Sequence, residues 1–187
     1  MARRLFELKV TLLDVEPTVW RILTVSDDMP RYEVGAAIIG TMGWNSSHMF
    51  AYEFEGARYD LKFDDELDLQ QSLDMEGVIA SDVFSPGVRF GFQYDFGDDW
   101  WHEVEVVAER PIVPGDKPPK CLGGENACPP DDSGGPPGFE AILAVAADPD
   151  DPEYQEIMEW LGDWKKSAFT VERANRDIRK AIKAYTT

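Results

Sequence analysis

The chain has 187 residues, a formal net charge of −18 at pH 7, and 43% hydrophobic and 12% aromatic residues. This length is typical of one domain, and the apolar content is sufficient to bury a core, which argues against global disorder. The negative charge repels a phosphate backbone, so a dedicated nucleic-acid-binding protein is not expected. We expect no membrane span, because no long apolar run occurs.

The cysteines and the charge distribution point to a cytoplasmic protein with an uneven surface. Cys121 and Cys128, in a chain whose start does not look like a signal peptide, predict reduced thiols. No basic residue lies between Lys120 and Lys165, where eleven acids occur, and seven basic residues with two acids follow from Lys165 onward. The acidic and basic segments could pack beside each other, since charge runs usually form solvated faces.

The N-terminal part predicts a hairpin and a helix. Residues 5–13 and 19–25 alternate as two pairing strands, with Trp20 expected in the core and Arg21 on the surface. A helix start signal at 26–30 precedes apolar residues at helical spacing, and Gly43 is expected to end this helix.

The middle of the chain continues with short elements. Residues 49–54 and 57–63 indicate two further strands, residues 64–68 an acidic connection, and residues 69–83 a short helix.

The strongest hairpin pattern lies at residues 88–107. Alternating residues enter a turn at Gly97 and leave it through Trp100 and Trp101. Because neighbouring side chains on a strand point to opposite faces, one of these tryptophans should lie in the core and the other nearer the surface. The elements together predict an α+β fold with a mainly antiparallel, roll-like sheet and one early crossing helix.

The C-terminal part changes character. Residues 109–138 contain eight prolines and two glycine pairs, so we expect this segment to be a loop without regular structure. Apolar residues at helical spacing then predict three helices. We interpret residues 1–187 as one domain with a sheet part (1–108), this loop, and a helical part (139–187).

Several motifs occur in a fixed order: Pro17-Thr18-Val19-Trp20-Arg21, Met42-Gly43-Trp44 with His48, Tyr94-Asp95-Phe96-Gly97-Asp98-Asp99-Trp100 with His102-Glu103, Cys121-Leu122-Gly123-Gly124, Cys128-Pro129-Pro130-Asp131-Asp132 with Gly134-Gly135-Pro136, and Trp160-Leu161-Gly162. Over nearly its whole length the chain thereby resembles the plasmid pRiA4b ORF-3-like family. The resemblance implies an α+β roll with trailing helices and no settled biochemical activity. Some members carry a transposon-passenger or resolvase-like label.

The chain departs from the family pattern at several points. Gly35 stands where the family often has histidine, Asp131 where it has glutamate, and Ser133 where some members have a third cysteine. Residues 164–167 replace the usual Asp-Pro-Glu approach to Phe169. These departures weaken metal or catalytic roles that would need the missing groups.

A recombinase is excluded on chemical grounds. A serine resolvase needs a nucleophilic serine among clustered arginines that hold the scissile phosphate. The arginines of this chain do not cluster beside a suitable serine.

Two kinds of metal site can be considered. Cys121, Cys128, His48 and His102 supply the number of ligands that a tetrahedral zinc ion requires, although the gap between the cysteines is longer than in zinc knuckles. The alternative is two buried thiols that pack the loop. The aspartates Asp95, Asp98 and Asp99 could hold a hard divalent cation or could bond their own turn backbone, and Asp131 and Asp132 of the loop face the same choice. We expect no cofactor, and metal only as an alternative.

The preferred hypothesis is a non-enzymatic interaction module that binds an unknown protein partner and is associated, in its family, with plasmid or mobile-element biology. No catalytic residue is assigned. The predicted binding residues lie in the turn and in the connection after the first helix: Asp95, Asp98, Asp99, Trp100, Trp101, His102, Trp44 and His48.

Two alternatives stay open. One is a metal-assisted enzyme that uses His102 and the turn aspartates. The other is a nucleic-acid accessory protein that binds through the basic C-terminal helix, with these residues: Arg173, Arg176, Arg179, Lys180 and Lys183.

Overall fold

A computed structural model of the protein describes residues 3–60, 72–74, 80–165 and 168–185, and for residues 72–74 it describes the backbone. Within these ranges the chain forms eight strands and five helices. The strands are β1 (Arg4–Leu12), β2 (Trp20–Ser26), β3 (Phe50–Phe54), β4 (Ala57–Asp60), β5 (Ser72–Asp74), β6 (Arg89–Tyr94), β7 (Trp100–Pro111) and β8 (Lys120–Glu125). The helices are α1 (Arg31–Met42), α2 (Ala80–Val83), α3 (Gly135–Ala147), α4 (Tyr154–Leu161) and α5 (Val171–Tyr185).

The described strands form one sheet in the order β5-β4-β3-β6-β7-β1-β2-β8. The pairs are antiparallel except for β4 with β5, which is parallel. At the centre, β6 and β7 align Tyr94 with Trp100 and Phe92 with His102. The predicted α+β class, with a mainly antiparallel sheet, an early crossing helix and three C-terminal helices, is confirmed.

One face of the sheet carries the core because its strands alternate. In β1 the side chains of Phe6, Leu8 and Val10 are fully buried, whereas Lys9 on the opposite face is exposed. Apolar area removed from water stabilises a fold by about 25 cal/mol per Å², so this face supplies much of the driving force for folding.

Helix α1 crosses the buried face of the sheet. Near its start the Tyr52 hydroxyl of β3 donates a hydrogen bond to the Arg31 carbonyl (2.8 Å), and near its end Arg21 Nε of β2 donates to the Thr41 carbonyl (3.0 Å). These two bonds fix the helix from one side of the sheet to the other. Helix α1 ends at Gly43, which has φ 102°, as predicted.

Helix α5 forms a further layer on α1. The two helices approach closely at Gly40, where an added Cβ would lie 2.6 Å from the Ile178 Cα. Asn175 of α5 also accepts a hydrogen bond from the Cys121 amide and donates one to the Cys121 carbonyl, both at 2.9 Å. The helix therefore covers part of the exposed backbone of the edge strand β8.

The prediction of an irregular segment at residues 109–138 is wrong. Strand β7 continues to Pro111, β8 pairs with β2, and α3 begins at Gly135. The prolines flank β8 rather than interrupting it, and Pro136 and Pro137 occupy the first turn of α3, where proline is tolerated.

Two other local predictions can be compared with the structure. The short helix expected within residues 69–83 is present as α2 (Ala80–Val83), and the strand at Ser72–Asp74 was not predicted. Trp20 is half-buried and Arg21 is buried, the reverse of the expectation, because Arg21 shares the inner face of β2 with Val19 and Leu23. The predictions for residues 61–63 and 64–68 lie outside the described residues.

Among the described residues, no helix combines the length and the apolar character that crossing a membrane would require.

Candidate functional site

Three segments meet at one end of the sheet and form what we call the junction. They are the turn between β6 and β7 (residues 95–99), the connection between α1 and β3 (residues 43–49), and the loop between β8 and α3 (residues 126–134). Each is short and begins at the end of a strand or of helix α1. The packing of these elements therefore fixes where the three segments come together.

The turn aspartates bond to different partners. Asp95 Oδ1 accepts hydrogen bonds from the Gly97 amide (2.9 Å) and the Asp98 amide (3.3 Å), so this carboxylate shapes its own turn. Asp98 Oδ2 accepts from the Gly134 amide of the loop (3.0 Å), and Asp99 accepts from the Gln93 side chain. The three aspartates do not converge on a common point among the described residues.

His48 lies between the turn and the loop. Its Nε2 is 3.5 Å from Asp95 Oδ2 and 3.2 Å from Asp132 Oδ1. These three residues are the group in the described ranges that brings at least three potential metal ligands together, with all ligand atoms within 4.8 Å of one another. His48 was predicted as a site residue, whereas Asp132 was considered only as an alternative hard-cation ligand together with Asp131.

Asp131 joins the loop to the other two segments. Its Oδ2 accepts a hydrogen bond from the Asn45 amide (2.9 Å), and its Oδ1 lies 3.4 Å from the Tyr94 hydroxyl, which donates to it. Burial raises the pKa of Asp131 and, in the same way, the pKa of Tyr94 and of Tyr185. The junction is therefore a partly dry, hydrogen-bonded environment.

Trp44 connects the junction to the core. Its ring stacks on Tyr94 with centroids 4.8 Å apart, and its Nε1 donates to the Pro129 carbonyl of the loop (2.9 Å). Trp44 and Trp100 are 4% and 1% exposed, so both predicted binding residues face the core. Trp101 is half-buried on the opposite face of the sheet, which confirms the predicted separation of the two adjacent tryptophans.

His102 is a core residue on the inner face of β7. It is fully buried, and its Nδ1 donates to the Phe92 carbonyl at 3.0 Å, which leaves Nε2 without a partner among the described residues. Burial lowers the pKa of His102 to about 4, so the ring is neutral at pH 7. This location separates His102 from the turn aspartates that the metal-enzyme hypothesis combined with it.

The cysteines are both free and both buried. Burial raises the pKa of Cys128, which keeps this thiol protonated. In the part of the chain that the structure describes, Cys121, Cys128, His48 and His102 do not assemble as a metal-ligand group. The structure therefore does not bring the predicted zinc ligands together.

Arg21 is the buried cation behind the loop. Its guanidinium donates to four backbone carbonyls, those of Trp20, Thr41, Glu125 and Asn126. The Phe169 ring lies over it, 4.0 Å from the guanidinium carbon. The position of Arg21 between Val19 and Leu23, both buried and on the same face, was a sequence signal for its burial.

A cleft of about 340 Å³ opens next to the junction, between the loop, the end of α1, and helices α4 and α5. Its walls include four aromatic rings, from these residues: Trp44, Trp160, Trp164 and Phe169. Trp164 Nε1 donates to the Cys128 carbonyl (2.8 Å) and so fixes one wall to the loop. Trp160 is 45% exposed at the rim. Apart from Trp44, the predicted site residues did not include these rings, because α4 and α5 are distant from the turn in sequence.

The basic residues of α5 are partly neutralised. Arg173, Arg176 and Lys180 all lie within 4.0 Å of the Asp177 carboxylate on the same helix, at 3.8, 3.7 and 2.9 Å. These contacts reduce the positive potential that the nucleic-acid hypothesis requires.

Comparison with known proteins identifies the family of the chain. The family model described as plasmid pRiA4b ORF-3-like protein matches residues 4–175. The chain belongs to this family. It is also 31% identical over 182 residues to the uncharacterized protein y4hQ of Sinorhizobium fredii (strain NBRC 101917 / NGR234), covering 95% of this chain and 92% of that relative.

A solved structure shows the same architecture. The crystal structure of the protein of unknown function MM3350 from Methanosarcina mazei Go1 superposes with a TM-score of 0.82 at 26% identity, covering 92% of this chain and 98% of that one. The relative is named as an uncharacterized protein and the solved structure as a protein of unknown function, so neither name assigns a chemical activity.

The structure also bears on Gly35, which the sequence analysis singled out as a departure from the family pattern. A Cβ added at Gly35 would lie 2.2 Å from the Phe50 ring. The Phe50 side chain thus fills the space that a larger residue at position 35 would need.

Proposed function

We propose that the protein is a non-enzymatic interaction module that binds a basic segment of a partner protein at the cleft. The observation that carries the proposal is the indole of Trp160, 45% exposed, at the rim of the cleft. Exposed acids lie around it on the same helix and just beyond: Glu156, Glu159 and Asp163. An aromatic face next to carboxylates is the arrangement that attracts a lysine or arginine side chain.

The charges inside the cleft support the same choice of partner. Arg21 already donates to backbone carbonyls, and Arg173 pairs with Asp177 at 3.8 Å. Asp131 and Asp163 line the cleft and form no ion pair within the described ranges. Lys165 adds one exposed cation to the lining, and the exposed acids Glu156 and Glu159 lie on α4 beside Trp160.

The size and the composition of the cleft suit the insertion of a side chain. A volume of about 340 Å³ lies at the lower end of the range for ligand pockets, about 300–1,000 Å³. Aromatic anchors at a partly exposed rim are common centres of binding energy in protein interfaces. A net charge of −18 would also steer a basic partner towards this surface.

The proposal includes a cytoplasmic location, which two free thiols favour. A partner from plasmid or mobile-element machinery would agree with the name of the family. The residues of the cleft specify only that the partner segment is basic.

The test is a titration of the full chain with a fluorescein-labelled nonaarginine peptide, followed by anisotropy at low and at physiological ionic strength. We expect Trp160→Ala to weaken binding by about fivefold, the equivalent of a cation–π contact of about 1 kcal/mol. Leu122→Ala is the matched control, since Leu122 is 46% exposed and does not line the cleft. It should bind like the unmodified protein.

A pair of charge variants separates a defined site from general attraction. Asp163→Asn removes a charge that lines the cleft, and Glu140→Gln removes an exposed charge on α3 outside it. We expect only the first to weaken binding beyond the small effect of net charge. Equal effects of both, together with an inert Trp160→Ala, would show that the peptide binds a diffuse acidic surface and would reject the proposal.

A further inference from the structure

The junction contains an arrangement of ligand atoms that the proposed partner site does not use. His48 Nε2 comes from the connection after α1, Asp95 Oδ2 from the turn, and Asp132 Oδ1 from the loop. The nitrogen is 3.5 Å from the first oxygen and 3.2 Å from the second. Three segments far apart in sequence thus direct one ligand atom each towards a common point.

These separations match metal ligation. Two ligands about 2.0–2.2 Å from a tetrahedral zinc ion are about 3.3–3.6 Å apart. His48 Nε2 is buried and forms no hydrogen bond with the described residues, although two carboxylate oxygens lie near it. A histidine held by an ordinary hydrogen bond would instead align its N–H with one oxygen.

Asp95 is oriented for ligation by its own turn. Its side chain is 10% exposed, and Oδ1 is occupied by the amides of Gly97 and Asp98. Its Oδ2 receives no hydrogen bond from the described residues and faces His48. Bonds that fix a carboxylate through its other oxygen are typical of the outer shell of metal sites.

The remaining ligands differ in exposure. The side chain of His48 is 29% exposed, and its backbone carbonyl accepts a hydrogen bond from the Tyr185 hydroxyl. The side chain of Asp132 is 72% exposed, so the group is open to solvent on that side. An ion bound here would retain room for a water molecule or for an exogenous ligand.

We propose that His48, Asp95 and Asp132 form a binding site for one divalent transition-metal ion, with zinc as the best match. One imidazole and two carboxylates suit zinc and its first-row neighbours better than calcium or magnesium, which prefer oxygen ligands alone. The ion would fasten the loop to the turn and to the connection after α1. The site is independent of the partner-binding proposal, although Asp131, the neighbour of Asp132, lines the cleft.

The test starts from full-length protein stripped with a chelator and titrated with Zn²⁺ in competition with a chromophoric chelator. We expect one ion per chain, and we expect Co²⁺ to give a visible absorption band at the same stoichiometry. Asp132→Asn should lower the affinity for Zn²⁺ by about tenfold or more, and His48→Gln by at least as much. The exposure of Asp132 makes Asp132→Asn safe for folding, so the test does not depend on a variant that unfolds.

Matched controls distinguish this site from other zinc ligands. Glu140→Gln changes an exposed carboxylate outside the junction, and a variant with Cys121→Ser and Cys128→Ser removes both thiols; both variants should retain the ion. Zn²⁺ should raise the melting temperature of the unmodified chain and of these controls, and should raise that of Asp132→Asn less at the same Zn²⁺ concentration. Failure to bind Zn²⁺, binding unchanged in Asp132→Asn and His48→Gln, or loss of the ion in the cysteine variant would each overturn the proposal. Peptide binding measured with and without chelator reports separately on the cleft.

Discussion

The two histidines of the chain lie in contrasting regions, the interior of the sheet and the junction. His102 is fully buried among aromatic rings, with one nitrogen bonded to the Phe92 carbonyl. His48 lies at the surface end of the same sheet, with Nε2 between two carboxylates from different segments. The same side chain is a neutral core group in one place and a candidate metal ligand in the other.

The difference comes from what holds each region together. The sheet interior is fixed by continuous strand pairing and by burial, so a change there should alter the stability of the whole fold. The junction is held by a few polar contacts between loops, such as the 3.0 Å bond from the Gly134 amide to Asp98. A change there should act locally and on binding. Three experiments test this contrast.

The largest effect is expected at the two adjacent tryptophans. Trp100→Ala removes a ring that is 1% exposed and should lower the free energy of unfolding by about 3–5 kcal/mol. Trp101→Ala, at a half-buried position on the opposite face, should cost less than about 1.5 kcal/mol. Urea denaturation followed by circular dichroism measures both. Trp100→Phe keeps most of the packing and serves as a foldable variant if Trp100→Ala does not fold. Similar losses for Trp100→Ala and Trp101→Ala would contradict the assignment of the two faces.

The second effect concerns pH. Burial holds the pKa of His102 at about 4, whereas a histidine in an unfolded chain titrates near about 6.5. The unfolded state therefore takes up the proton first. The contribution of the neutral His102 ring to the free energy of unfolding is complete above about pH 6.5. It is lost as the pH falls towards about 4, which lowers the free energy of unfolding by about 3 kcal/mol in total. Stability curves measured at several pH values between 4 and 7.5 report this loss.

The control for the pH effect is His102→Asn, which removes the titrating ring and retains a donor for the Phe92 carbonyl. Every other titratable group is the same in the two proteins, so the difference between the two curves isolates His102. If the difference in stability between the two proteins stays constant from pH 6.5 to pH 4, the pKa of His102 is not lowered in the folded state and the prediction is wrong.

The fold could be predicted from the sequence wherever a local pattern coincides with a buried face. Alternation at residues 88–107 places β6 and β7, and apolar spacing with Gly43 places the end of α1. The prediction failed for β8, because pairing with β2 overrides the low strand propensity of its glycines. It failed for Arg21, although this residue alternates with core residues of β2, because the carbonyls of Glu125 and Asn126 that bind the guanidinium leave no local pattern.

The candidate site was less accessible to sequence reasoning. The turn and His48 were identified from unusual residue types. Their partner Asp132 is 37 residues beyond Asp95, and only the return of the loop across the end of the sheet brings it to His48. Trp160 and its cleft depend on how α4 packs beside the loop, a tertiary contact without a sequence signature.

The smallest effect is expected at the start of α3, directly after the loop of the junction. Gly135 has φ +69°, and an added Cβ would lie 2.2 Å from the Asp98 carbonyl oxygen. Gly135→Ala should therefore destabilise the fold by about 2 kcal/mol, because the strain is partly relieved by moving the loop away from the turn. Gly123→Ala is the control, since a Cβ there meets no atom within 4 Å, and it should stay within about 0.5 kcal/mol of the unmodified protein.

Hydrogen exchange of the Gly134 amide distinguishes a local change from a global one. If the junction is a separable region, this amide exchanges faster in Gly135→Ala while amides of β6 and β7 keep their protection. Equal acceleration throughout the sheet would mean that the junction and the sheet interior unfold as one unit, and the contrast between the two histidine regions would not hold.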